Sequence, residues 1–122
     1  LDVNVICLQY AVEEEERQAF IDKAIPLQEI DGLNLKDDQV GLADLISQLD
    51  SVVSVSTSLS ELAGALGVPS IIFSVRDIKW FMAKSHIKGF YPNTEIIYKD
   101  VYCEWDSALI EASKLIQSKV IN

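Results

Sequence analysis

Residues 49–73 read LDSVVSVSTSLSELAGALGVPSIIF, from Leu49 to Phe73. Two short runs rich in β-branched residues, Ser51 to Val55 and Ser70 to Val75, flank a small-residue segment from Leu59 to Leu66. Runs this short and continuous are what strands buried on both faces require. The intervening segment predicts a helix, with Gly67 at its C′ position and Pro69 just beyond. Strand, helix, strand with short connections is a βαβ unit with parallel strands and a right-handed crossover.

The same alternation extends outward. Val3 to Leu8 predicts a central strand, and Glu13 to Lys23 a short helix whose leading acids complement the helix dipole and whose apolar face is Ala19, Phe20 and Ala24. Ile25 to Ile30 contains Pro26, which demotes it to an edge or irregular strand. From Asp38, with Asp37 or Asp38 as N-cap, Val40, Leu42, Ala43, Leu45, Ile46 and Leu49 predict an amphipathic helix ending near Asp50. Arg76 to Thr94 reads as a long aromatic loop with one helical turn. Glu95 to Lys99 predicts a last strand, and Asp106 to Val120 a terminal helix with Ala108, Leu109, Ala112, Leu115 and Ile116 on one face. The pattern defines an α/β chain, a Rossmann-like three-layer domain with a mostly parallel sheet, spanning residues 1–122 as a single domain.

Composition narrows the functions. With 49 % hydrophobic residues the chain can fill a core, and no apolar run approaches the roughly 18 residues of a membrane span. A net charge of -9 argues against nucleic acid or an anionic lipid surface as partner. Cys7 and Cys103 suggest reduced, buried thiols and a cytoplasmic setting rather than a disulfide framework. No His/Cys/Asp cluster has metal-ligand spacing. The opening Leu1-Asp2-Val3, without initiator Met or signal-like segment, leads us to expect a domain excised from a longer polypeptide.

Chemistry concentrates at Ser56-Thr57-Ser58, where the strand ending at Val55 turns into the helix. Ligands of open α/β sheets bind at the C-terminal edge of the strands, and a helix beginning there presents unpaired N–H groups. Those amides and three hydroxyls can cradle a phosphate, although Ser and Thr are also simply good N-caps. Gly64, with Ala63 and Ala65, lets the helix lie close to a neighbouring strand. A receiver-like domain would need acids after the first and third strands, where this chain has Leu8-Gln9-Tyr10 and Ser54-Val55-Ser56. No G-x-G-x-x-G follows the first strand, so a dinucleotide fingerprint is missing.

The run from Leu49 to Phe73 resembles the nucleotide-sugar-binding half of GT-B glycosyltransferases. The match is to the lipopolysaccharide heptosyltransferase family and the related domains that follow tetratricopeptide repeats. Leu8-Gln9-Tyr10 sits where that family places a Leu-Gln-aromatic segment. Lys79-Trp80 resembles its Arg-Trp pair, Phe90-Tyr91-Pro92 its Trp-Tyr-Pro, and Glu104-Trp105-Asp106 its Trp-Asp. The resemblance implies one half of a GT-B fold, the C-terminal domain of a longer protein, with a nucleotide-diphosphate sugar as substrate and no cofactor. It places Ser56, Thr57, Ser58 and Glu61 on the donor diphosphate, with Gln9, Tyr10, Lys79 and Trp80 lining the cleft. The acceptor and the catalytic base would come from an N-terminal half, with repeats a possible neighbour, so this domain alone would bind without turnover.

Two positions depart from the family pattern. Ser56-Thr57 stands where Asp-Thr is common, and Glu61 where His is common, which motivates an alternative: a non-catalytic binding or assembly module that keeps the fold. Lys79 or Arg76 could neutralise a leaving diphosphate. Trp80 and Tyr91 are better explained as packing anchors than as stacking platforms, His86 as structural or exposed, and Glu13 to Glu16 as a solvated helix start.

Overall fold

The computed structural model of the chain describes residues 3–75, 87–99 and 102–120. Their order is β1 (Val5–Ile6), α1 (Glu14–Asp22), β2 (Leu27–Gln28), α2 (Gln39–Ser47), β3 (Val52–Val55), α3 (Ser58–Ala65), β4 (Ser70–Ser74), α4 (Ile87–Phe90), β5 (Thr94–Tyr98) and α5 (Asp106–Val120). It is an α/β protein of Rossmann-like design, and every strand pairing among the described residues is parallel. The chain forms two compact units, Leu1–Asp44 and Leu45–Asn122, with the boundary inside α2.

In the first unit β1 pairs with β2 through Val5 opposite Leu27 and Ile6 opposite Gln28. The expected central strand is thus only two residues long and half-buried. Among the described residues β1 ladders with β2 alone, so it does not have the strand neighbours on both sides that a central strand would have. Helix α1 has no buried residue. Its expected apolar face dissolves because Ala19 is exposed and Ala24 lies past the helix end at φ 53°. There the amides of Ala24 and Ile25 bond back to Ile21 and Phe20, the left-handed helix ending usually given to glycine. Asp38 caps α2, its Oδ1 accepting from the Gly41 amide at 2.8 Å. Leu42 and Ile46 are buried along α2, whereas Val40 in its first turn is exposed.

The second unit is layered. Strands β3, β4 and β5 lie side by side, Val55 opposite Phe73 and Phe73 opposite Ile97. Ile71, Phe73 and Ile97 pack with Ala108 and Ala112 of α5 on one face. Ile72 and Ile96 form the core of the other face, where Tyr91 joins them and α3 lies. All five residues of β4 are buried, as its sequence predicts. In β3, however, Val53 and Val55 stay about half exposed, at 46 % and 52 %. They point to the α5 face, and α5 packs on β4 and β5 rather than on β3. Leu109, expected on the packed face of α5, is exposed. The aromatic segment yields its one helical turn, α4, while Arg76, Lys79, Trp80 and His86 lie outside the described residues.

Candidate functional site

Three parallel strands end at one edge of the second unit, at Val55, Ser74 and Tyr98. The ladder continues one residue beyond on either side, Ser56 N–H donating to the Phe73 carbonyl at 3.2 Å and Lys99 N–H to that of Ser74 at 2.9 Å. Ser56 and Thr57 then carry the chain directly into α3, so the start of α3 lies at this C-terminal edge. Thr57 is the N-cap, extended at φ -137° and ψ 177°.

Thr57 and Ser60 form a reciprocal capping box. Its well-formed arm runs from Thr57 N–H to Ser60 Oγ at 3.0 Å, and the same hydroxyl donates to the Thr57 carbonyl at 2.6 Å. Ser60 is 1 % exposed, so the Thr57 peptide is clamped from beneath by a buried side chain. Of the expected cradle amides, those of Ser56 and Thr57 are therefore occupied. Helix geometry leaves the Ser58 and Leu59 N–H groups without intrahelical acceptors. Above them the Thr57 and Ser58 side chains are exposed and that of Ser56 half-buried. Glu61 lies in the same first turn, half-buried, its amide bonded to the Thr57 carbonyl. A carboxylate there suits the helix dipole but opposes a bound anion.

Ser60 was not among the residues the sequence singled out, although a hydroxyl three residues after an N-cap Thr is the spacing of a capping box. Nor did the sequence bring Trp105 together with Phe73 and Lys99, which cluster at the far side of the same edge. There Phe73 meets Trp105 edge to face at 5.7 Å, and Lys99 Nζ lies 5.2 Å from the centre of the Trp105 ring. Gly64, by contrast, does mediate a close approach, but to an aromatic ring rather than to a strand: a Cβ there would stand 2.7 Å from Cγ of Tyr91. Tyr91 is accordingly a packing anchor.

Gln9 and Tyr10 belong to the first unit, where they line a pocket of about 600 Å³ with Cys7, Arg17, Glu29 and Lys36. Its polar groups are largely turned on one another. Gln9 Nε2 donates to the Ala11 carbonyl at 2.6 Å and to Glu16 at 3.2 Å. Arg17 grips Glu29 with two bonds of 2.9 and 3.0 Å, which hold the Glu29 carboxyl below its ordinary range. Lys36 Nζ sits 5.8 Å from the centre of the exposed Tyr10 ring. Lys79 and Trp80, the other two expected cleft residues, lie outside the described residues. Neither cysteine is disulfide-bonded; Cys7 is half-buried, but Cys103 is exposed in the turn before α5, against the expectation of a buried thiol. Among the described residues no group of three or more His, Cys, Asp or Glu could hold a metal ion, and no helix is long and apolar enough to cross a membrane.

These features define an α/β chain with an open parallel-sheet edge and a capped helix start. No protein-family model matches it, and neither does any curated protein or solved structure.

Proposed function

We propose that this chain is the donor-binding domain of a GT-B-type glycosyltransferase, holding a nucleotide-diphosphate sugar for transfer to an acceptor supplied by an N-terminal half of the same cytoplasmic protein. The observation that carries the reading is the switch at Ser56-Thr57, where β3 passes into α3 at the C-terminal edge of three parallel strands. Amides of Ser58 and Leu59, with the hydroxyls of Thr57 and Ser58, would face the two phosphates. A helix N-terminus favours negative charge there without a metal ion. Ser56 and Glu61 would border the phosphates. The acceptor and the catalytic base would belong to the other half, so this domain alone would bind and not turn over.

Calorimetric titration of the full protein with nucleoside diphosphates and their sugars tests this reading. Saturable binding that Thr57→Arg abolishes, by filling the space above the amides, is the expected result. No binding by the unaltered protein would sink it. A second reading, a non-catalytic binding or assembly module, draws on the Glu61 carboxylate in the first turn of α3. Measurable sugar transfer or donor hydrolysis by the full protein would rule that out.

A further inference from the structure

Helix α3 is held at its C-terminal end by the segment that leads into β5. At its end the Val68 and Gly67 amides bond back to Ala63 and Gly64, with Gly67 at φ 75°, a conformation that only glycine adopts freely. Asn93 Nδ2 pins that end by donating to the Gly67 carbonyl at 2.7 Å. One turn earlier, buried Gly64 lies under the Tyr91 ring, which itself packs against Ile72 and Ile96.

We propose that this Gly64 and Tyr91 contact sets the tilt of α3, and with it the placement of the Ser58 and Leu59 amides, making Tyr91 a positioning residue for the donor's diphosphate. The inference rests on the donor-binding reading above. A methyl at residue 64 would stand 2.7 Å from the ring, whereas ordinary contact begins at 3.4 Å, so helix and ring must part by about 0.7 Å. At about 1.5 Å of rise per residue, Gly64 is roughly 4.5 Å from the pinned Gly67 and Ser58 roughly 13.5 Å. The lever multiplies the shift about threefold, to roughly 2 Å at the helix start. Hydrogen bonds to a phosphate do not survive a displacement of that size.

The test is a double-mutant cycle in the full protein, titrated with uridine diphosphate and adenosine diphosphate. Gly64→Ala should weaken binding by roughly tenfold or more, the loss of one bond to a charged group, while circular dichroism and cooperative unfolding persist. Tyr91→Leu, which removes the ring and lets the helix settle, should weaken it too and covers the case in which Gly64→Ala does not fold. The double variant should recover most of the affinity, because the added methyl fills the space the ring vacates. Tyr91→Phe keeps the ring and should bind within about twofold of the unaltered protein, as should Gly89→Ala, where an added Cβ meets open space. A merely structural contact would lower the melting temperature in the single variants and leave affinity alone. Single variants that bind normally, or a double variant that recovers nothing, overturn the proposal while the donor reading stands. An unaltered protein that binds neither diphosphate removes the donor reading first and this inference with it.

Discussion

Glu61 shows how one side chain can serve stability and oppose binding at once. Its carboxylate occupies the first turn of α3, where the helix dipole welcomes negative charge. A diphosphate held at the Ser58 and Leu59 amides would compete for the same field. Glu61→Gln keeps the shape and removes the charge. With a dipole-range interaction of about 0.3–1 kcal/mol at stake, it should tighten nucleoside diphosphate binding by about two- to fivefold. Titration at constant ionic strength checks this, and unchanged affinity would place the phosphates away from that turn. Ser60 acts at the same scale: a hydroxyl that both accepts from and donates to the Thr57 peptide leaves the cap little freedom.

Among the elements, α1 contrasts with α3. Burial of Ser60, Ala63 and Gly64 gives α3 a packed face of small side chains. Helix α1 buries nothing and relies instead on its ends: the Glu13 amide donates to Glu16 at 2.9 Å, and Arg17 ties the helix to Glu29, the residue that follows β2 by one. The Arg17 hydrogen bonds lower the Glu29 pKa from its ordinary 4.5. A carboxyl depressed on folding contributes stability that is present above the unfolded pKa and disappears as pH falls through the folded one. Urea midpoints of the first unit's signals should therefore decline between about pH 5 and 3 more steeply in the unaltered protein than in Glu29→Gln. The pair is solvent-exposed, so the difference should be small; equal slopes would show that the pair contributes nothing on folding.

Over the whole molecule, charge and burial are unevenly shared. Residues 1–44 carry eleven of the nineteen acidic residues and three of the ten basic ones, a net of -8 against -1 for the remainder. The candidate diphosphate site thus belongs to the nearly neutral unit. Burial follows the same division, with the fully buried β4 in one unit and the unburied α1 in the other. Native-state amide exchange should accordingly be slowest in Ser70–Ser74 and its partners in β3 and β5, and faster by orders of magnitude in Glu14–Asp22. Uniform protection across both units would contradict this distribution.

The sequence by itself determined the order and kind of the elements, because strand runs, helical spacing, caps and the Gly67 helix ending are local signals written within a few residues. It also marked Ser56-Thr57 as the strand-to-helix switch. Only the tertiary structure decided which groups there are available, since the Ser56 amide is taken by Phe73 across the sheet and the Thr57 amide by Ser60. It likewise decided that Val53 and Val55 stay half exposed and that Gly64 meets Tyr91. Those outcomes depend on which distant segments pack together, and no pattern within a single segment encodes the identity of its neighbour.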